Sequence, residues 1–317
     1  LQQTDSLPFD SYAGFLMAHP GWPGEASNRR AAERQAANFT AAPSSIVAYF
    51  RRYPPQSAAG GVAYARALLA TGAPGEAAQA ARTAWRRGVL SPTDEALVLS
   101  TLGSALTPED HDARMDALLW SGQTSAAARV LGYTSSARRP IFAARLAFRT
   151  KSADAASLSA STAELYANDA GYVADRALWL RNTGDSLTAR SWLARPRQLT
   201  VRPGNVEEFY ETLLLNARAA AADNQLQTAY DIARQVDDAY PAGTDVSKRP
   251  YGERDDYTSL VWLAGTIAND KLGQPAKAVG MFVRYGSAAR TPQTRSKGYY
   301  WAGRAAARAQ DTTAATQ

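Results

Sequence analysis

Cysteine is absent from this sequence and histidine is nearly so, occurring only as His19 and His111. Without cysteine there is no disulfide framework, no thiolate zinc site, no Fe–S cluster and no thiol nucleophile. Two isolated histidines exclude a His-rich metal centre. No apolar run approaches the roughly 18 residues that a membrane-spanning helix needs. Runs of β-branched residues in strict alternation are missing as well, which argues against strands. HExxH, GxxxxGK[ST] and a GxGxxG following a strand do not occur. Lysine is scarce, at five positions: Lys151, Lys248, Lys271, Lys277 and Lys297.

What is present is a 317-residue chain with a formal charge of +6, 45% hydrophobic residues and a mean hydropathy of −0.34. This is the composition of a chain that folds and stays soluble. The positive excess sits almost entirely on arginine, in pairs such as Arg29-Arg30, Arg51-Arg52, Arg86-Arg87 and Arg138-Arg139. Guanidinium forks grip phosphate and carboxylate, so an anionic polymer is one explanation. A GC-rich genome, which enriches Arg and Ala together, is the favoured one, because Asp and Glu are scattered among the same helices. No basic stripe interleaves with aromatics, so nucleic acid is not an expected partner. The chain starts at Leu1 without a basic-then-apolar leader, and a removed signal peptide is the expectation.

About a fifth of the residues are alanine, the strongest helix former. Helix starts are marked at Ser91-Pro92, Thr107-Pro108 and Thr291-Pro292, where a hydroxyl can accept an unpaired N–H and proline lacks one. Apolar stripes at helical spacing run through Met115, Leu118 and Leu119. Others run through Val206, Phe209, Tyr210, Leu213, Leu214 and Ala217, and through Tyr257, Leu260, Val261, Ala264, Ile267 and Ala268. A shorter one is Val279, Phe282 and Val283.

A turn residue recurs, with small residues four to six positions later: Gly72 before Ala77, Gly122 before Ala126, Gly184 before Ala189, Asn224 before Ala229 and Gly273 before Ala278. Each is read as a helix closing on a left-handed Gly or Asn, a short turn and a second helix whose alanine permits close approach. The steps between them, 50, 62, 40 and 49 residues, are irregular against the tetratricopeptide period of about 34. The fold expected is therefore all-α, a superhelix of degenerate tetratricopeptide-like αα-hairpin repeats. One domain is expected over 1–310, with crossovers at 195–204 and 240–252, and a fraying tail at 311–317.

Chemistry-bearing groups are few. Glu109, Asp110 and Asp112 flank His111 at a helix start, where acids complement the dipole and a metal is the lesser reading. Glu207, Glu208 and Glu211 share one helix, whereas glycoside cleavage needs carboxyls facing across a cleft. No catalytic residue and no metal ligand is assigned, and no cofactor is expected. The densest polar-aromatic segment lies near the end, where Tyr299, Tyr300 and Trp301 could stack on sugar rings and Arg295 and Arg304 could hold carboxylates. Packing of those aromatics on the preceding helix is the favoured alternative.

Several segments carry a resemblance: Trp85-Arg86-Arg87-Gly88-Val89-Leu90-Ser91-Pro92-Thr93-Asp94-Glu95, the stretch from Leu106 to Gly122, Tyr251-Gly252-Glu253-Arg254-Asp255-Asp256-Tyr257, and Lys297-Gly298-Tyr299-Tyr300-Trp301-Ala302-Gly303-Arg304-Ala305. Over most of its length the chain resembles the N-terminal superhelical region of soluble lytic murein transglycosylases. The resemblance implies a periplasmic scaffold for a C-terminal lysozyme-like domain. That domain cleaves the MurNAc–GlcNAc bond of peptidoglycan without water and leaves a 1,6-anhydro sugar. The family's catalytic Glu-Ser dipeptide, with its following Gly-Leu-Met-Gln, does not occur here, so no catalytic residue carries over and the chain alone is expected to be inactive. Expected partners are glycan strands, the lysozyme-like domain of the same protein and other cell-wall proteins. The alternative is a free-standing helical-repeat scaffold for protein–protein interaction.

Overall fold

A computed structural model describes residues 7–310. Among the described residues the secondary structure is helical throughout, with seventeen α-helices and no strand. A single parallel bridge pairs Asp169 with Val201 inside the expected crossover at 195–204. The fraying expected at 311–317 lies outside the described residues. The chain divides into two compact units between Phe142 and Ala143.

The first unit contains α1 (Phe9–Ala18), α2 (Glu25–Ala37), α3 (Pro43–Arg52), α4 (Ala58–Ala70), α5 (Pro74–Arg86), α6 (Pro92–Leu102), α7 (Pro108–Trp120) and α8 (Thr124–Val130). The boundary falls within α9 (Arg139–Thr150). The second unit continues with α10 (Ala155–Thr162), α11 (Ala170–Asn182), α12 (Ser186–Ala194), α13 (Val206–Ala222) and α14 (Leu226–Ala233). It closes with α15 (Tyr251–Thr266), α16 (Pro275–Ala288) and α17 (Pro292–Arg308).

The marked helix starts are capped as their chemistry requires. Ser91, Thr107 and Thr291 accept from the amides of Asp94, Asp110 and Thr294 at 3.1, 3.3 and 3.3 Å, each with proline at the first helical position. The Thr107 amide in turn donates to the Asp110 carboxylate at 2.8 Å, which completes a capping box.

All five expected turn residues adopt positive φ: Gly72 79°, Gly122 69°, Gly184 97°, Asn224 58° and Gly273 63°. Four of the turns share one bonding scheme. The amide after the turn residue reaches back six positions less one, from Ala73 to Leu68, Gln123 to Leu118, Asp185 to Leu180 and Gln225 to Ala220, at 2.8–2.9 Å. The turn residue itself bonds three positions back, to Leu69, Leu119, Arg181 and Ala221. These paired bonds satisfy the last carbonyls of the first helix and reverse the chain. Five residues beyond each turn residue stand Ala77, Ala127, Ala189, Ala229 and Ala278, all fully buried. The hairpin partners α4–α5, α7–α8, α11–α12 and α13–α14 pack on each other, with these alanines buried. α16 packs in the same way on α15 and then on α17.

The fifth turn departs from the scheme. Residues Ile267–Lys271 form a π-helical turn, and the amide after Gly273, that of Gln274, reaches Ala268. One extra residue is accommodated there, which rephases the end of the helix. The α16 stripe also differs from expectation. Its buried face is Ala278, Met281, Phe282 and Gly286, whereas Val283 is exposed. The alanine after the turn sets the register, and Val279 and Val283 fall one position round from it.

Burial of charge ties each unit internally. In the first, Glu95 on α6 lies between Arg114 of α7 at 2.9 Å and Arg129 of α8 at 3.0 Å, and Arg114 stacks 4.1 Å from the Trp85 ring. In the second, Asp175 on α11 lies between Arg145 and Arg149 of α9 at 2.7 and 2.6 Å, and Arg149 also reaches Glu208 of α13 at 2.8 Å.

Candidate functional site

The residues singled out near the end of the chain all lie on α17, but the structure sorts them into two groups. Tyr300, Trp301 and Arg304 come together: the Arg304 guanidinium stands 5.9 Å from the Tyr300 ring and 5.4 Å from the Trp301 ring. Arg295 and Tyr299, one helical turn apart, stand round the helix from them. Tyr299 leans on α16 at Gly286, and its hydroxyl lies 3.4 Å from that of Ser287.

Trp301 is half-buried and belongs to an aromatic cluster drawn from three helices. Trp262 of α15 lies 5.3 Å from Phe282 and 4.9 Å from Tyr285, both of α16, and 6.2 Å from Trp301. Phe282 also meets Trp301 at 6.2 Å, and Tyr300 meets it edge-on at 5.8 Å. Packing therefore accounts for Trp301, while Tyr299 and Tyr300 remain 43% and 59% exposed. Lys297 was not among the expected site residues, yet its ammonium lies 3.7 Å from the Trp262 ring and 5.4 Å from Tyr285. Its position one turn before Trp301 was the available signal. The result is an aromatic surface carrying two cations, suited to stacking on an apolar ring face and to holding an anionic substituent.

The cluster depends on a close helix crossing. A Cβ on Gly298 would lie 2.5 Å from the Gly286 amide nitrogen, so α16 and α17 meet backbone to backbone. The only side chain that fits at Gly298 is hydrogen.

The acidic groups take different places. Asp110, fully buried, pairs with Arg82 at 3.1 Å and Arg86 at 2.5 Å as well as capping α7, so its role is structural. His111 is buried, stacked 5.2 Å from Tyr133 and edge-on to Trp85 at 5.5 Å. Burial, helped by the Arg114 charge, lowers its pKa, with Asp110 and Asp112 opposing. His19 follows α1 and sits among Phe15 and Trp22 at 5.0 and 5.7 Å.

Glu207, Glu208 and Glu211 separate. Glu208 turns inward to Arg149 at 2.8 Å. Glu207 and Glu211 join Asp256 of α15, with carboxylate oxygens of all three within 4.8 Å of one another. Sequence reasoning missed Asp256, which lies 45 residues from Glu211. Its pKa is pushed up to about 6, first by burial and then by the neighbouring charges of Glu211, Asp255 and Glu207. Three such carboxylates could hold a hard cation through one oxygen each. Acidic clusters on exposed helix faces also occur without one.

Comparison of the chain with family models, with curated proteins and with solved structures returned no match.

Proposed function

We propose that this chain is a tetratricopeptide-like α-superhelix serving as the non-catalytic scaffold of a periplasmic peptidoglycan lytic transglycosylase. In this reading it positions a lysozyme-like catalytic domain and guides glycan strands towards it. Arg295, Tyr299, Tyr300 and Arg304 make the contacts with that domain or with glycan, and Trp301 supports them from the aromatic cluster. The observation that carries the reading is the repeated helix, left-handed turn and helix unit, ending in a Tyr-Tyr-Trp-x-Gly-Arg helix that exposes Tyr299 and Tyr300. The transglycosylase-like segments named above supply the substrate class.

The α17 surface has the chemistry that glycan strands demand. Exposed phenol rings stack on sugar faces, and guanidinium groups meet the lactyl and peptide carboxylates of peptidoglycan. Purified chain should pellet with insoluble sacculi and release no anhydro-muropeptides into the supernatant, as read by mass spectrometry. Release of anhydro-muropeptides by the chain alone would exclude the non-catalytic role.

One observation favours protein–protein scaffolding instead. A mainly apolar cleft of about 340 Å³ in the first unit is lined by Pro54, Pro55, Tyr64, Ala80, Ala84 and Arg87. Such a groove suits a peptide side chain. Retention of a protein partner on the chain, with no affinity for sacculi, would select this second reading.

A further inference from the structure

The segment Tyr251–Tyr257 takes no part in the α17 surface, and it opens onto a cleft of its own. This cleft, of about 310 Å³, lies between the start of α15 and the junction of α16 with α17. Tyr251, Arg254, Asp255 and Thr258 line one side, and Arg290 and Thr294 line the other. The volume is that of a small ligand rather than of a single water.

The charges in the cleft differ from those immediately beside it. Neighbouring cations are neutralised: Lys248 pairs with Asp245 at 3.1 Å and Arg249 with Glu253 at 3.0 Å. Arg254 and Arg290 have no carboxylate within ion-pair distance among the described residues. Each is instead held through one nitrogen by a backbone carbonyl, Arg254 by Arg249 at 3.0 Å and Arg290 by Ser247 at 2.8 Å. Anchoring through Nε leaves the terminal nitrogens of both guanidiniums without a hydrogen-bond partner among the described residues. Arranged donors of this kind bind a carboxylate without first paying for side-chain ordering.

The remaining lining selects among anions. Tyr251 is 74% exposed, and the Arg254 guanidinium stands 5.7 Å from its ring. A large exposed ring beside a cation is a platform for a flat, partly apolar face such as that of a pyranose. Thr258, Thr294 and Asp255 offer hydroxyl and carboxylate partners to ring hydroxyls or an amide N–H. Asp255 would repel a multiply charged phosphate more than a single carboxylate.

We propose that this cleft binds a carboxylate-bearing saccharide, with the acid on Arg254 and Arg290 and the sugar ring on Tyr251. The choice of a muramyl acid as first ligand rests on the peptidoglycan reading above; the geometry itself asks only for an acid on a sugar.

Calorimetric titration of the full chain tests this with four probes: N-acetylmuramic acid, galacturonic acid, N-acetylglucosamine and lactate. The expected result is binding of at least one acid sugar with Kd on the order of 1 mM, and at least tenfold weaker binding of N-acetylglucosamine and lactate. Whichever acid sugar binds more tightly identifies the source of the carboxylate. Arg254→Gln and Arg290→Gln should each weaken binding about tenfold. Tyr251→Ala, at a side chain that supports nothing else, should do the same and keeps the test sound if Arg290→Gln loosens the Ser247 loop. Equal binding of acid and neutral sugars, equal binding of lactate, or unchanged affinity in Arg254→Gln and Tyr251→Ala would overturn the proposal. Pelleting with sacculi is scored separately: if it persists without acid-sugar binding, the cleft proposal fails and the scaffold reading stands.

Discussion

The turns at Gly72, Gly122, Gly184 and Asn224 repeat one pair of hydrogen bonds and one buried alanine, whereas the turn at Gly273 carries an extra residue in a π-helical turn. The four regular hairpins close through backbone bonds at the turn and a buried alanine, with Gly61 against Ala84 in α4–α5 and Tyr172 against Trp192 in α11–α12. The last three helices close through Gly286 on Gly298 and through five aromatic rings, and they expose tyrosine and unpaired arginine. The π-helical turn and the Gly286–Gly298 crossing distinguish the second kind of closure, and the helix that follows exposes Tyr299 and Tyr300. In the proposed reading, those exposed tyrosines are the residues available for contact, and the crossing beneath them keeps the fold.

Substitutions at the two kinds of hairpin should separate these roles. The largest effect is expected at the glycine crossing: Gly298→Val should destabilise the chain by about 3 kcal/mol or more in urea titration, because backbone cannot retreat from the added carbons. Ala77→Leu, at a regular hairpin, should cost about 2 kcal/mol by the same overpacking. An effect at Ala77 exceeding that at Gly298 would reverse the comparison. Asp256→Asn should raise stability by about 1 kcal/mol at pH 8 and leave it unchanged at pH 4. The raised pKa means the folded chain holds a proton that the unfolded chain has released. The contribution of Asp256 to stability therefore falls as pH rises from about 4 to 6, and removing the charge removes that contribution. Thermal melts at the two pH values provide the check.

Smaller effects are expected at the turns. Gly184→Ala should cost about 1 kcal/mol for placing a Cβ at positive φ, while Asn224→Gly should stabilise by about 0.5 kcal/mol. Opposite signs at equivalent turns would be a direct signature of the left-handed cap. Tyr300→Ala should change stability by less than about 0.5 kcal/mol and yet weaken pelleting with sacculi. A large loss of stability there would make Tyr300 a packing residue.

Much of the helical framework was legible because its signals are local. A cap hydroxyl, a proline and a left-handed glycine each act within a few residues, so Ser91, Thr107, Thr291 and the five turns could be read directly. The π-helical turn at Ile267–Lys271 was not legible, since it depends on how α15 meets α16. The stripe at Val279 and Val283 was misjudged because hydrophobicity alone does not choose between adjacent registers; close packing at Ala278 does. The site was legible in part. Tyr299, Tyr300, Trp301 and Arg304 announce themselves as one segment, but Trp262 and Tyr285 reach Lys297 only through tertiary packing. Asp256 beside Glu211, and Arg254 across a cleft from Arg290, are pairings over 45 and 36 positions that no local spacing encodes.

The central claim is that this helical chain handles peptidoglycan without cutting it. The most direct measurement is incubation of the purified chain with insoluble sacculi, followed by quantifying both the chain in the pellet and the soluble muropeptides. The account predicts chain in the pellet, reduced by Tyr300→Ala, and no anhydro-muropeptides. Chain left wholly in the supernatant, or anhydro-muropeptides released by it, would contradict the account.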